Sequence, residues 1–233
     1  MSNLAALVMD ADKTVTANFT VIQWTLTVSA SSGGSATTPG VGAFQYTHGS
    51  SVPVVATAVA NYHFVAWTGT AVDGGKVASP SQADTTVTMD LDHTLQANFA
   101  INQHTLTVVS DGNGSVNGSG TYDWGTAVPV TATPNSNYHF VNWTGTAVDA
   151  GKVTDPLSAS TTVTVDADYG LQAHFTIDQR TLVVSGTVGG VVTSPGQGTF
   201  QYDHSGQVTL QAKADPLFEF VGWRGSLFAN VNP

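Results

Sequence analysis

The sequence predicts a mostly β protein, an elongated tandem array of small β-rich domains of about 76–80 residues each. Three observations carry this prediction. The composition lacks helix formers, apolar residues alternate with a period of two, and the same motifs return in the same order along the chain.

Of the 233 residues, 41% are hydrophobic and only 9% are charged, against about 25% charged in an average globular domain. Glu219 is the sole glutamate. Glu, Lys, Leu and Arg normally fill exposed helical positions, so a mostly helical protein is excluded. Thr, Val and the aromatics suit pleated, half-buried strands instead. Thr, Ser, Asn and Gln must solvate the surface.

Each unit reads as strands and turns. TLTVSAS after Trp24 sets outward Thr against inward Leu and Val. The Gly/Ser/Pro stretch SSGGSATTPGVG reads as a turn, and GAFQYTHG, VPVVATA and the aromatic strand YHFVAW follow, ending at Gly69. A loop of about 15 residues, rich in Gly, Asp and Pro, leads to TTVTM. Asp90-Leu91-Asp92-His93 then turns the chain into TLQANF, since aspartates favour tight turns. About six strands per unit result, with room for one short helical segment.

The repeats fix the boundaries. Trp24-TLTVSAS returns as His104-TLTVVSD and Arg180-TLVVSGT; YHFVAWTGTAVDGGKV from Tyr62 returns from Tyr138, and more weakly as FEFVGWRGS from Phe218. The closing motif ends at Phe19, Phe99 and Phe175. Residues 1–19 therefore read as the closing hairpin of a preceding or partner repeat, and 20–99 and 100–175 as repeats 1 and 2. Residues 176–233 read as repeat 3, truncated before its closing hairpin. The linkers TVIQ, AINQ and TIDQ are short and each carries an apolar residue (Val21, Ile101, Ile177), which predicts a semi-rigid rod of beads.

The opening TLTV, the Gly/Pro-rich turn, the run TYDWGTAVPVTATPNSNYHFVNWTG from Thr121 and the closing TVTMDLDHTLQANF resemble the divergent internalin B-type repeat of bacterial secreted and surface proteins. The resemblance spans essentially the whole chain. It implies β-grasp-like domains, an extracellular or cell-surface location and a spacer or adhesion-associated role, and brings no shared catalytic activity; an enzyme is not expected, nor a cofactor. The longer loops after Trp67 and Trp143 and the weak third copy depart from the pattern.

Other functions find little support. A net charge of −10 with six Lys+Arg leaves no basic face for nucleic acid. No apolar run reaches the roughly 20 residues that span a bilayer, so membrane insertion is not expected. Cysteine is absent. The pairs Asp10/Asp12, Asp90/Asp92 and Asp166/Asp168 supply too few oxygens for a hard cation and read as turn residues. His63 and His139, between two aromatics each, point outward and make poor metal ligands. Lys76 and Lys152 recur, but no complete unit contains glutamate, which argues against an intramolecular isopeptide crosslink.

Trp67, Trp143 and Trp223 stand 76 and 80 residues apart and read as core anchors, together with Phe19, Phe99 and Phe175. Trp24 and Trp124 do not recur, which makes them the candidates for a ligand or inter-unit contact. The functional expectation is a structural, spacer or fibre-forming segment whose partners are copies of itself or neighbouring repeats. The TVTANF strand of one molecule would complete the open third unit of the next by strand addition. The alternative is an adhesin-type module binding glycans through exposed aromatics and the loops 69–84 and 145–160.

Overall fold

The computed structural model describes residues 6–225 and the backbone of 228–231. The chain divides into two compact units, residues 1–102 and 103–233. Among the described residues no helix is long and apolar enough to cross a membrane.

Repeat 1 runs β1 (Gln23–Ala30), β2 (Gly34–Thr38), β3 (Gly42–Thr47), β4 (Ser51–Ala58), β5 (Tyr62–Thr68), α1 (Thr70–Asp73), β6 (Asp84–Thr88) and β7 (His93–Ile101). It contains two sheets, of order β3-β1-β7-β5 and β2-β4-β6. In the first, β7 lies parallel to β1 (Leu26 opposite His93 through Ala30 opposite Ala97) and antiparallel to β5. This mixed sheet is the grasp-like part of the fold; a second sheet and the single turn of α1 pack across the core from it. There are seven strands where six were expected. Within the stretch read as a turn, β2 forms because Ala36 reaches the core while its neighbours pair with β4.

Repeat 2 repeats the plan with β8 (Gln103–Ser110), β9 (Gly114–Val116), β10 (Gly120–Asp123), β11 (Thr126–Pro134), β12 (Tyr138–Thr144), α2 (Thr146–Asp149), β13 (Ser160–Val165) and β14 (Tyr169–Ile177). Its sheets have the orders β10-β8-β14-β12 and β13-β11-β9. Each repeat has its own core, drawn from both sheets, with Leu26, Val54, Val87, Leu95 and Trp67 at the centre of the first. Leu106, Val130, Val163, Leu171 and Trp143 are their counterparts in the second.

The aromatic strand ends in a sharp turn. Gly69 and Gly145 have φ of 119° and 115°, outside the range of L side chains. A Cβ on Gly69 would also stand 2.5 Å from the Thr94 carbonyl oxygen, so the turn presses directly on β7. The loop that follows belongs to the core. Ala71 is fully buried, Val77 nearly so, and Val77 forms a bridge to Val87.

Repeat 3 is different. It contains β15 (Gln179–Val184), β16 (Gly190–Ser194), β17 (Gly198–Asp203), β18 (Gln211–Ala214), β19 (Trp223–Gly225) and β20 (Phe228–Val231), arranged as the separate pairs β15-β17, β16-β18 and β19-β20. Among its described residues only Val184 and Val192 are buried hydrophobics, whereas each complete repeat buries thirteen. Residues 6–22 carry no strand, so the TVTANF segment is not part of a hairpin here.

Trp143→Ala should therefore lower the stability of its unit by about 3–5 kcal/mol, the usual cost of removing a fully buried large aromatic. Trp223→Ala, at a half-buried position, should cost less than half of that. Urea titrations followed by circular dichroism measure both.

Candidate functional site

The aromatic strand carries a β-bulge. Pairing of β5 with β7 shifts between Phe64 and Ala66, and β12 with β14 shifts between Phe140 and Asn142. Strict alternation would put Phe64 and Trp67 on opposite faces; the extra residue turns both rings to one side. Phe64 then lies 5.6 Å from Trp67 and 5.9 Å from Phe99. Phe140 lies 5.5 Å from Trp143 and 6.0 Å from Phe175. The buried indole N–H groups donate to loop carbonyls, Trp67 to Gln82 (3.0 Å) and Trp143 to Ser158 (2.9 Å).

Four of the six expected anchors thus sit in this arrangement: Trp67, Trp143 and Phe175 are buried, and Phe99 is partly buried against the core. Two do not. Phe19 is 93% exposed, because among the described residues no strands of the β1 and β5 types lie beside it. Trp223 is only half-buried: it has Phe220 at 5.4 Å but no third ring among the described residues.

The closing strand is held at both ends by side chains. At its start Asp92 accepts the Thr25 N–H (2.6 Å) and Asp168 accepts the Thr105 N–H (2.8 Å). At its end the Phe99 N–H donates to Ser31 Oγ (3.0 Å) and the Phe175 N–H donates to Asp111 (2.8 Å). This backbone donor holds the Asp111 carboxyl below the usual carboxylate range.

The first aspartate of each pair meets the recurring lysine. Lys76 Nζ stands 2.5 Å from Asp90, and Lys152 Nζ 2.5 Å from Asp166, with all four side chains about a third exposed or less. The second carboxylate oxygen takes a different donor in each repeat. His93 Nε2 donates to Asp90 (2.9 Å), and at the equivalent position the Tyr169 hydroxyl donates to Asp166 (2.8 Å). A carboxylate only accepts, so His93 carries its proton on Nε2; its buried Nδ1 has no partner among the described residues. The Lys76 hydrogen bond, helped by His93, lowers the Asp90 carboxyl to about 2. The Asp166 carboxyl is also lowered, by Lys152 and then Tyr169. Lys152 and Tyr169 are raised, each chiefly by its hydrogen bond to Asp166. The sequence offered a signal for this pair, since lysine and aspartate recur 14 residues apart in both repeats.

Trp24 and Trp124 take opposite positions of the same corner, each in its own repeat. Trp24 on β1 donates its indole N–H to His48 Nδ1 (3.1 Å) and is half-buried against the core. In repeat 2 the types are exchanged, with His104 on β8 and Trp124, 39% exposed, in the turn before β11. Trp24 is thus not the exposed contact that was expected; Trp124 is exposed. His63 and His139 are exposed, as alternation predicts. They hydrogen-bond Asn102 and Asp178, each at 2.9 Å.

The folded carboxyl of Asp90 ionises below its unfolded value near 3.9. Its contribution is therefore complete above pH 4 and lost as the pH falls from about 4 to about 2. Asp90→Asn should lower stability at neutral pH and flatten the acid limb of the stability profile of repeat 1. In repeat 2, Lys152 and Tyr169 add an alkaline limb: their contribution is complete below their unfolded values and lost as the pH rises through the folded ones. Tyr169→Phe should reduce that limb. Unfolding midpoints measured from pH 2 to 11 check both.

The sequence profile of the divergent InlB B-repeat domain matches residues 24–103, 104–179 and 180–231 in tandem. No curated protein and no solved structure matches the chain. Each matched segment begins one residue inside β1, β8 or β15, the strands that open the three repeats. The chain belongs to the divergent InlB B-repeat family.

Proposed function

We propose that the chain is a structural segment, a spacer or fibre-forming stretch of a bacterial extracellular or cell-surface repeat protein, acting through geometry and not through chemistry. The observation that carries this reading is the use made of the recurring residues. In both complete repeats the tryptophan, the lysine and both hairpin aspartates are engaged in closing the fold.

The joint between repeats 2 and 3 supports it. A single residue, Asp178, separates β14 from β15. Its N–H donates to the Asn137 carbonyl (2.8 Å), its carboxylate meets His139 (2.9 Å) and lies 3.7 Å from Arg180, and its carbonyl accepts the His204 N–H (2.7 Å). Four interactions converge on the one linking residue, where a flexible hinge would have none. In repeat 1 the equivalent contacts tie Asn102 to Asn61 and His63.

A glycan-binding adhesin module is the second reading, favoured by the exposed Trp124 ring. The loops 69–84 and 145–160 count against it, because their backbones and buried residues are committed to the core. Retention on immobilised glycans separates the two. The structural reading expects the wild-type chain to pass unretained. Retention that Trp124→Ala abolishes, with circular dichroism unchanged, overturns the structural reading in favour of adhesion.

A further inference from the structure

Repeat 2 carries the tripeptide Asn-Gly-Ser twice around β9, as Asn113-Gly114-Ser115 and Asn117-Gly118-Ser119. Before a glycine, an asparagine side chain is open to attack by the next backbone nitrogen, because no Cβ screens that nitrogen. The fold gives the two pairs different surroundings. Asn117 is exposed and Asn113 is half-buried. The Thr131 N–H of β11 donates to Asn117 Oδ1 (2.9 Å), while the Asn117 N–H donates to the Thr131 carbonyl (3.1 Å). Because the side chain takes the Thr131 N–H, the Asn117 carbonyl is left without a partner among the described residues, and so is the Gly118 N–H. Gly118 has φ of 103°, and a Cβ there would stand 2.6 Å from Val130, so the fold itself demands the glycine. The other pair is fastened. The Asn113 carbonyl accepts the Asn135 N–H (3.0 Å), the Gly114 carbonyl accepts the Ser110 hydroxyl (2.7 Å), and the Phe175 ring covers Gly114.

We propose that Asn117 is a site of spontaneous covalent modification, deamidating through a succinimide formed with Gly118, and that the fold selects it over Asn113. The Gly118 nitrogen gives its proton to water or hydroxide and attacks Asn117 Cγ. A C–N bond forms, and the carbonyl electron pair moves onto Oδ1, where the Thr131 N–H already stands to stabilise the developing oxyanion. Collapse of that oxyanion breaks the Cγ–Nδ2 bond, and the side-chain nitrogen takes a proton from water and leaves as ammonia. Water then opens the cyclic imide at either carbonyl, giving aspartate or isoaspartate; nothing is oxidised or reduced. Each product adds one negative charge to a chain whose net charge is −10. Aspartate keeps an acceptor for Thr131, and a stronger one. Isoaspartate adds a methylene to the backbone and displaces the acceptor, which loosens β9 from β11. Repeats 1 and 3 are spared, because Thr37 and Thr193 hold the equivalent place and donate their hydroxyls to the Val55 and Gln211 carbonyls. The inference goes beyond the structural reading above and does not depend on it.

The shared tripeptide makes Asn113 an internal control, since any difference in rate between the two sites comes from the fold. The purified full chain is incubated at mildly alkaline pH, with and without urea, then digested and mapped by mass spectrometry and chromatography that separates isoaspartate from aspartate. In the folded chain the products should accumulate at Asn117 in clear excess over Asn113, and the intact chain should shift to the acidic side on isoelectric focusing. In urea the excess should vanish, because both pairs then lie in free chain. Asn117→Thr, which installs the residue of repeat 1, should remove most of the acidic shift, with circular dichroism checking that the variant folds. A folded chain in which Asn117 stays intact or reacts no faster than Asn113 overturns the proposal. So does an excess that persists undiminished in urea, or an Asn117→Thr chain that acidifies as fast as the wild type.

Discussion

The fold depends on a strand that comes last in each repeat and lies in the middle of its sheet. The closing strand separates the first strand from the aromatic one, and it runs parallel to the first. A parallel neighbour cannot be reached through a tight hairpin; the chain has to cross over with a dozen or more residues. Everything between the first and the closing strand is that crossover, and the long loop after each core tryptophan, with the β6- or β13-type strand, is its last part. Its burial follows, since it passes over the core and covers the indole whose N–H it satisfies. The clips at both ends of the closing strand have the same origin. A strand inserted between two others gains hydrogen bonds on both edges only in the correct register, and Asp92 with Ser31 fixes that register from its two ends.

The ion pair on the hairpin belongs to the same problem. A turn rich in aspartate places two carboxylates side by side in a chain with few cations. The repeats resolve this by giving each carboxylate its own donors: a backbone N–H for the second, a lysine from the crossover for the first. The lysine fastens the crossover to the hairpin that follows it. His93 and Tyr169 perform the same service for the remaining oxygen with different chemistry, which explains how so visible a difference between two near-identical repeats leaves their backbones alike.

Much of this was legible in the sequence, and the gaps have physical causes. Repetition exposed the units, alternation exposed most strands, and Trp67, Trp143 and Phe175 were found as anchors because a large apolar residue recurring with the unit has to serve each unit's core. The strand β2 was missed because Ser, Ala and Thr flanked by glycines look like a turn until a partner strand selects them. The bulge was missed because period-two reasoning has no place for an extra residue. The corner shared by Trp24 and His48 was hidden because the two residue types exchange places in the next repeat, so neither position looks conserved between units. Phe19 and Trp223 carry the right sequence in the wrong surroundings. Burial belongs to a residue and its neighbours jointly, and their neighbours are the strands of a completed repeat.

Repeat 3 isolates what the closing strand contributes. It retains the counterparts of β1, β2 and β3, part of β4, and most of the aromatic pattern, yet its strands remain as separate pairs and among its described residues little is buried. An isolated two-stranded ribbon is marginal in water, so local propensity alone cannot hold this unit to the standard of the other two. In repeats 1 and 2 the closing strand joins the first strand to the aromatic one, supplies the third ring and covers the glycine. Closure is therefore cooperative: most of a repeat's core forms together with its final strand or not at all. A protein assembled from such units has stability that is local to each repeat and all-or-none within it, and any unit lacking that strand presents an apolar, unpaired edge. Such edges are liabilities unless something specific covers them.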